Sequence, residues 1–417
     1  MPRERRPAIA LGLLVAGGVA VRVAMFPARD LIGDLDQFVL WVHGIAVNGW
    51  LRAYDQNLSF PAVMAWIWGV LAAVEPDFRT VTDSSDPWIR GLMKVPASLA
   101  DLGLAAGVWW WFRDRPWVAV TAAGAVLLWP VTWYVSAWWG QYESIYVLPA
   151  LLAVLAARAG RPGLVAALVA VSLMTKPQAL PLVVPFAAWF LATQRWRGTA
   201  RAAAIGAVVA VVLWLPFIPA GGPLDYLDNL QTYQDDIFGV LSLRAWNPWW
   251  IVQELGAGGG FVADTTPVLG PFTFRHVGYA IAGLLSLVVF VGVYRRPTAE
   301  QLALGLAAIS LVAFVSLTTM HERYAYPAFV FLLLAAGRPG ELATWALFAV
   351  AFALNLVTAA PPEGWTIPLE RPLGIAGAVA ITGVAALRLI SLGRAPGTGP
   401  ASPPSTSAGS GAATSGA

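Results

Sequence analysis

The 417-residue chain contains no cysteine, an absence that excludes disulfides, thiolate metal sites and cysteine nucleophiles while leaving the redox compartment open. Charge is scarce as well. Lys, Arg, Asp and Glu make up 12% of the residues, against about 25% in an average soluble domain, and only 3 histidines are present. The net charge of +3 is scattered in short arginine clusters, so there is no basic face and no nucleic-acid signal. No glycine-rich phosphate loop precedes a helix, and neither a His-Glu-x-x-His pattern nor a nucleophile elbow occurs, which argues against nucleotide-driven pumping and metalloprotease chemistry. An internal repeat is also missing, which weakens an inverted-repeat transporter.

What the chain has in quantity is hydrocarbon: 58% of its residues are apolar and its mean hydropathy is +0.66. Apolar runs at 8–26, 91–112, 117–136, 144–157, 163–175, 178–192, 202–217, 276–294, 299–318, 324–336, 342–358 and 373–389 predict an all-α polytopic membrane protein. About twelve transmembrane helices are expected, within a range of roughly 11 to 14. The first run follows an arginine-rich start and reads as an uncleaved anchor more readily than as a signal peptide. Residues 1–392 then form one integral membrane domain, and the Pro/Gly/Ser/Ala-rich tail 393–417 is expected to be disordered.

The run 60–74 is settled by the positive-inside rule. If it does not cross, Arg113/Arg115, Arg158/Arg161, Arg195/Arg197/Arg201, Arg295/Arg296, Arg338 and Arg394 all fall in short inside loops. If it crosses, those basic loops face outward. The run is therefore read as an interfacial or re-entrant helix in a large first external loop, 27–90, and a second long external loop covers 218–275.

On this topology the uncommon polar residues gather on the external face. Asp34 and Asp36 stand just after the first span and are candidates for a general base that deprotonates a hydroxyl; a helix cap is the plain alternative. Two positions apart they cannot share a helical face, so one of them reaches the reacting centre, with Asp34 favoured. His321 and Arg323 follow an apolar span and suit a phosphate oxygen, unless Glu322 simply pairs with Arg323 at the interface. Lys176, between two apolar stretches and before Pro177, is either a cation at a wet or protein-lined break or a snorkelling lysine. Gln141, Tyr142, Glu143 and Gln178 offer hydrogen bonds suited to sugar hydroxyls, and Trp139 could stack on a pyranose or serve in an aromatic belt. Gln231 to Asp236 join the same face. Lys94 and Asp101, one heptad apart, read as a structural pair inside their bundle.

The order of these motifs resembles the GT-C superfamily of polytopic glycosyltransferases, over residues 34–326. Gly33-Asp34-Leu35-Asp36-Gln37 with Trp41 is similar to the first-loop segment of the dolichyl-phosphate-glucose glucosyltransferases, and Tyr54-Asp55 with Phe60-Pro61 to their Asp-Tyr-Pro-Pro segment. Ser59-Phe60 departs from that segment. Gly140-Gln141-Tyr142-Glu143-Ser144 resembles their Phe-Gln-Tyr-Asn-Ser, and Met174-Thr175-Lys176-Pro177-Gln178-Ala179-Leu180 their Phe-Lys-Gln-Met-Ala-Leu. His321-Glu322-Arg323-Tyr324 looks like bacterial membrane mannosyl- and glucosyltransferases.

The resemblance implies a hexosyltransferase, for mannose or glucose, that uses a polyprenyl-phosphate sugar and delivers it to a lipid-linked or cell-envelope glycan. It makes Asp34 the base and has His321, Arg323 and Lys176 bind the lipid-linked phosphate. Inversion at the anomeric carbon follows from one base and no evident nucleophile, and no cofactor or metal is expected for a monophosphate donor. The competing reading is a transporter or flippase of lipid-linked sugars, in which the same Lys and Asp would be substrate or proton sites.

Overall fold

A computed structural model of the chain describes residues 6–29, 33–236, 239–336, 339–368 and 370–393. The expected disordered tail lies outside those residues from 394 onward. The regular structure of the described chain is helical apart from two small two-stranded sheets, one of β1 (Ser242–Leu243) and β4 (Met320–His321) and one of β2 (Pro267–Leu269) and β3 (Phe272–Thr273). In order it forms α1 (Arg6–Met25), α2 (Asp34–Asn48), α3 (Ala62–Val74), α4 (Pro87–Trp111), α5 (Pro116–Leu128), α6 (Pro130–Trp133), α7 (Glu143–Arg158) and α8 (Pro162–Leu173). There follow α9 (Val183–Trp214), α10 (Gly222–Asp236), α11 (Pro248–Ala257), α12 (Phe274–Arg295), α13 (Ala299–Ser316), α14 (Tyr326–Ala335), α15 (Pro339–Ala359) and α16 (Glu370–Gly393).

Proline opens many of these helices, because its fixed φ suits the first turn and its missing N–H is not needed there. At α4 the start is also capped: the Asp86 carboxylate accepts from the backbone N–H of Trp88 at 2.7 Å and of Ile89 at 3.1 Å.

Eight helical runs among the described residues are long and apolar enough to cross a membrane, so the chain is an integral membrane protein with fewer long spans than the expected twelve. The difference has two sources. Helices α7 (16 residues), α8 (12 residues) and α14 (10 residues) are short, and at 1.5 Å per residue even α7 falls below the roughly 30 Å of a hydrocarbon core. The run at 178–192 and most of that at 202–217 lie within a single stretch, Pro177–Trp214, interrupted at Arg195, where φ is 55°. Helix α3, with 13 residues, is likewise too short to cross and packs on α2 instead of standing as a span of its own.

The main core runs through α4, α5, α7, α13, α14 and α15. A second core lies beneath α2 and α3, where Phe38, Trp41, Phe60, Trp68 and Tyr142 form one aromatic cluster with ring centroids 5.1–5.8 Å apart.

The expected Lys94–Asp101 pair does not form. Lys94 Nζ donates to the carbonyls of Phe26 and Ala28 (3.2 and 2.7 Å), while Asp101 pairs with Arg22 of α1 at 2.8 Å. Both partners of that ion pair are buried, and Ser136 and Tyr326 also donate to Asp101. A heptad places two residues on one helix face, but a buried charge takes whichever partner another helix brings closest.

Candidate functional site

Three interruptions of helical structure and the start of α2 meet around one cavity of about 390 Å³. Asp34 is the first residue of α2, behind Gly33, whose φ of 76° is one that glycine adopts without strain. Gln141 comes from the first interruption, where Tyr134–Trp139 widens into a π-helical turn and Gly140 (φ 82°) reverses the chain before α7. A Cβ on Gly140 would stand 2.9 Å from the Leu35 side chain, so glycine also lets this turn approach α2 closely. Lys176 and Gln178 sit where α8 ends and a 3₁₀ turn, Pro177–Leu182, begins.

The last interruption carries Arg323. Thr319 adopts φ 61°, unusual for a β-branched residue, and its N–H reaches the carbonyls of Val240 (3.0 Å) and Leu241 (3.2 Å). Immediately after it, β4 (Met320–His321) pairs in parallel with β1 (Ser242–Leu243), with Ser242 opposite Met320 and Leu243 opposite His321. Buried Asp264 fixes the same corner: it accepts from Thr318 Oγ1 at 2.8 Å and from the Arg275 guanidinium at 2.8 Å through both oxygens. The second long loop thus holds Arg323 in place from behind.

In the cavity wall, Asp34 Oδ2 accepts from Gln141 Nε2 at 2.7 Å and lies 3.5 Å from Arg323 Nη2. Arg323 Nη1 donates to Glu322 Oε1 at 2.8 Å, and Arg323 Nε stands 3.5 Å from Glu143 Oε1. The same Glu143 oxygen accepts from the Lys176 ammonium, so one buried carboxylate ties both cations together. Lys176 Nζ also lies 5.7 Å from the Phe60 ring centroid and 5.6 Å from that of Tyr324. Three carboxylates (Asp34, Glu143, Glu322) here face the Arg323 guanidinium and the Lys176 ammonium.

Burial governs the titration of the cluster. It pushes His321 well below the usual imidazole range, helped by the Arg323 and Lys176 charges, so His321 is a neutral ring at pH 7. It raises the Glu322 carboxyl and lowers the Lys176 ammonium. Burial opposes the Arg323 charge too, but Asp34, Glu322 and Glu143 outweigh it and hold the guanidinium above its ordinary range.

Asp34, Gln141, Lys176, Gln178 and Arg323, all singled out in the sequence, line the cavity. Other expected site residues stand behind that wall. Asp36 Oδ1 accepts from the Ser84 backbone N–H at 2.8 Å and from Ser84 Oγ at 2.5 Å, tying α2 to the loop before α4, away from the cavity. Tyr142 donates to the Met93 carbonyl (3.1 Å) and accepts from Trp68 Nε1 (3.3 Å) within the aromatic cluster. Trp139, expected to stack on a sugar, is wholly buried with the Arg323 guanidinium 5.1 Å from its ring centroid. Glu143 binds the two cations, and His321 stands beside Arg323, 3.4 Å from Nη1, with 14% of its side chain still exposed. From the segment 231–236, the side chains of 233–236 lie outside the described residues.

Gln37, Trp41, Phe60 and Tyr324 also line the cavity without having been assigned a role. Gln37 was within reach of sequence reasoning, since a residue three positions beyond Asp34 on a helix shares its face. The rest of the wall is mostly apolar, with Leu180, Pro181, Leu230, Ala313, Leu317 and Met320, and Ser59 and Thr319 add a hydroxyl each.

The model of glycosyltransferase family 87 matches residues 93–321, more than half of the chain. The matched stretch includes Gln141, Glu143, Lys176, Gln178 and His321; Arg323 lies just past its end, and Asp34 lies well before its start. No curated protein matches the chain.

Proposed function

The chain belongs to glycosyltransferase family 87, a family of GT-C polytopic membrane glycosyltransferases, and on that premise we propose that it moves a hexose, mannose or glucose, from a polyprenyl monophosphate to a hydroxyl of a lipid-linked or envelope glycan. One observation carries this reading. A carboxylate and two cations converge on a single cavity much of whose remaining wall is apolar, which suits a substrate that is part sugar, part phosphate and part lipid.

In the proposed reaction Asp34 takes the proton from the acceptor hydroxyl as its oxygen attacks the anomeric carbon. The bond from that carbon to the phosphate oxygen breaks, and its electron pair leaves with the lipid phosphate. Arg323 and Lys176 hold the growing charge on that oxygen, and Glu143 keeps the two cations aimed at one point. With the base opposite the leaving group, the configuration inverts. Two side-chain cations meet the charge of a monophosphate, so the proposal routes no step through a metal. The apolar wall of Leu180, Pro181 and Leu317 takes the first isoprene units. The proposal puts the reaction on the external face, resting on the expectation from sequence that the arginine-rich loops are cytoplasmic.

Purified protein in lipid nanodiscs, incubated with radiolabelled polyprenyl-phosphate mannose or glucose and extracted envelope lipids, should yield a labelled glycolipid and free polyprenyl phosphate. Absence of transfer from every polyprenyl-phosphate hexose, with transfer from a nucleotide sugar instead, overturns the donor assignment.

A further inference from the structure

The cavity contains amide groups that the proposed chemistry leaves unused. Gln141 gives its Nε2 to Asp34 and Gln178 is hydrogen-bonded to Tyr324, yet Gln141 Oε1 and Gln178 Oε1 are buried without a hydrogen-bond partner among the described residues. Gln37 Nε2 is likewise buried and unpartnered. All three side chains line the same cavity. Exchanging the amide ends does not remove the deficit. A turned Gln141 would set its carbonyl against the Asp34 carboxylate, and a turned Gln37 would leave an oxygen unpaired in place of a nitrogen.

A buried polar group without a partner is costly, and three in one cavity specify what should fill it. The two carbonyl oxygens require donors. Neither a phosphate nor an isoprenoid can donate, whereas a ring hydroxyl donates and accepts at once. The amides also have an order. Gln178 is two residues from Lys176, on the phosphate side, while Gln37 is three residues beyond Asp34 on the same face of α2, on the side of the base.

Resting on the glycosyl-transfer reading, we infer that Gln37 determines acceptor specificity by hydrogen-bonding a ring hydroxyl next to the one Asp34 deprotonates. The ligand class is a neutral polyhydroxylated ring. Gln141 and Gln178 receive the hydroxyl protons of the same sugars on the donor side. A substrate lacking the neighbouring hydroxyl leaves the Gln37 amide unpaired, so it is rejected by a missing contact, without any clash.

The probes are methyl hexopyranosides and their monodeoxy analogues, with binding read by saturation-transfer NMR on the full chain in nanodiscs. Gln37→Met keeps the size of the side chain and removes its polar end without adding charge. It should bind a short polyprenyl monophosphate as the wild type does, a readout that also reports an intact cavity. Gln37→Met should weaken the parent glycoside about tenfold, the usual worth of one such hydrogen bond. One monodeoxy analogue should bind the wild type about as weakly and show no further loss in the variant. Equal affinity of Gln37→Met and wild type for every glycoside, as expected of a cavity that only holds water, overturns the inference, and so does an equal loss across all analogues. Transfer that proceeds with no dependence on Gln37 removes the subsite and keeps the proposed function. Gln37-dependent glycoside binding without transfer from any polyprenyl-phosphate sugar does the reverse.

Discussion

Replacing Asp34 by Asn should slow transfer and at the same time tighten the binding of the lipid phosphate. Asp34 Oδ2 lies 3.5 Å from Arg323 Nη2, so before a donor arrives the proposed base occupies the cation that the phosphate needs. At an effective dielectric constant of about 20, two unit charges at that distance interact by roughly 5 kcal/mol. The Asp34 side chain is 26% exposed, and solvent and the Gln141 hydrogen bond reduce what its removal releases to about 1–2 kcal/mol. That corresponds to a lipid-phosphate affinity roughly tenfold higher. Loss of the base should meanwhile lower the single-turnover transfer rate by about 10² to 10⁴. The assay is equilibrium binding of a fluorescent short-chain polyprenyl monophosphate to both proteins in nanodiscs, paired with single-turnover transfer. Unchanged or weaker binding by the Asp34→Asn protein would refute the competition between carboxylate and phosphate. An undiminished rate would remove Asp34 as the base.

The remaining consequences can be checked separately. Arg323→Ala should weaken lipid-phosphate binding and slow transfer together, and Arg323→Lys should restore only part of both, because an ammonium lacks the planar fork; donor titration at fixed acceptor measures the two effects. Burial lowers the Lys176 ammonium, so the charge that attracts phosphate is present below its folded pKa and lost as pH rises through it. The alkaline limb of kcat/KM for donor should then lie below the ordinary lysine range, and Lys176→Arg should move it upward. Asp36→Asn keeps an oxygen for Ser84 and should leave turnover within about threefold of wild type, whereas Asp36→Ala should lower the unfolding midpoint through loss of those hydrogen bonds, worth about 1 kcal/mol each. Asp101→Ala leaves Arg22 charged and buried and should cost about 3–5 kcal/mol in a chemical-denaturation experiment.

The wall of the site was legible in the sequence because a chain so poor in charge exposes its exceptions: Asp34, Lys176 and Arg323 stand beside long apolar runs, and each lines the cavity. Membership in a GT-C family was legible from the order of motifs. Orientation was not. Asp34 and Asp36 look alike in the sequence, and what separates them is Ser84, some fifty positions away, which takes Asp36 out of reach. The Asp101 partner was misassigned for the same reason, since Arg22 is brought to it by the packing of α1 against α4 and the π-helical turn. Span number failed differently: hydropathy finds an apolar run of any length, and α8 and α14 are apolar but short.

Short and interrupted helices are the structural means by which this protein brings polar groups to one place in an apolar bundle. An uninterrupted helix satisfies its own backbone and presents only side chains, so a cluster such as Asp34, Gln141, Lys176 and Arg323 needs chain ends that converge. Each end has its own support: Gly140 lets the turn before α7 approach Leu35, Pro177 starts the 3₁₀ turn after Lys176, and Thr319 is held by the carbonyls of 240–241. The small β1–β4 sheet follows from this arrangement. Its parallel pairing joins 320–321 to 242–243, Asn247 and Trp249 donate to the Phe314 and Ser316 carbonyls freed where α13 stops, and the strained Thr319 conformation persists because Asp264 and the paired strand fix both of its neighbours. The long loop between α9 and α12 is therefore part of the site's construction, and changes in it should reach Arg323 through β1 even where they touch no substrate.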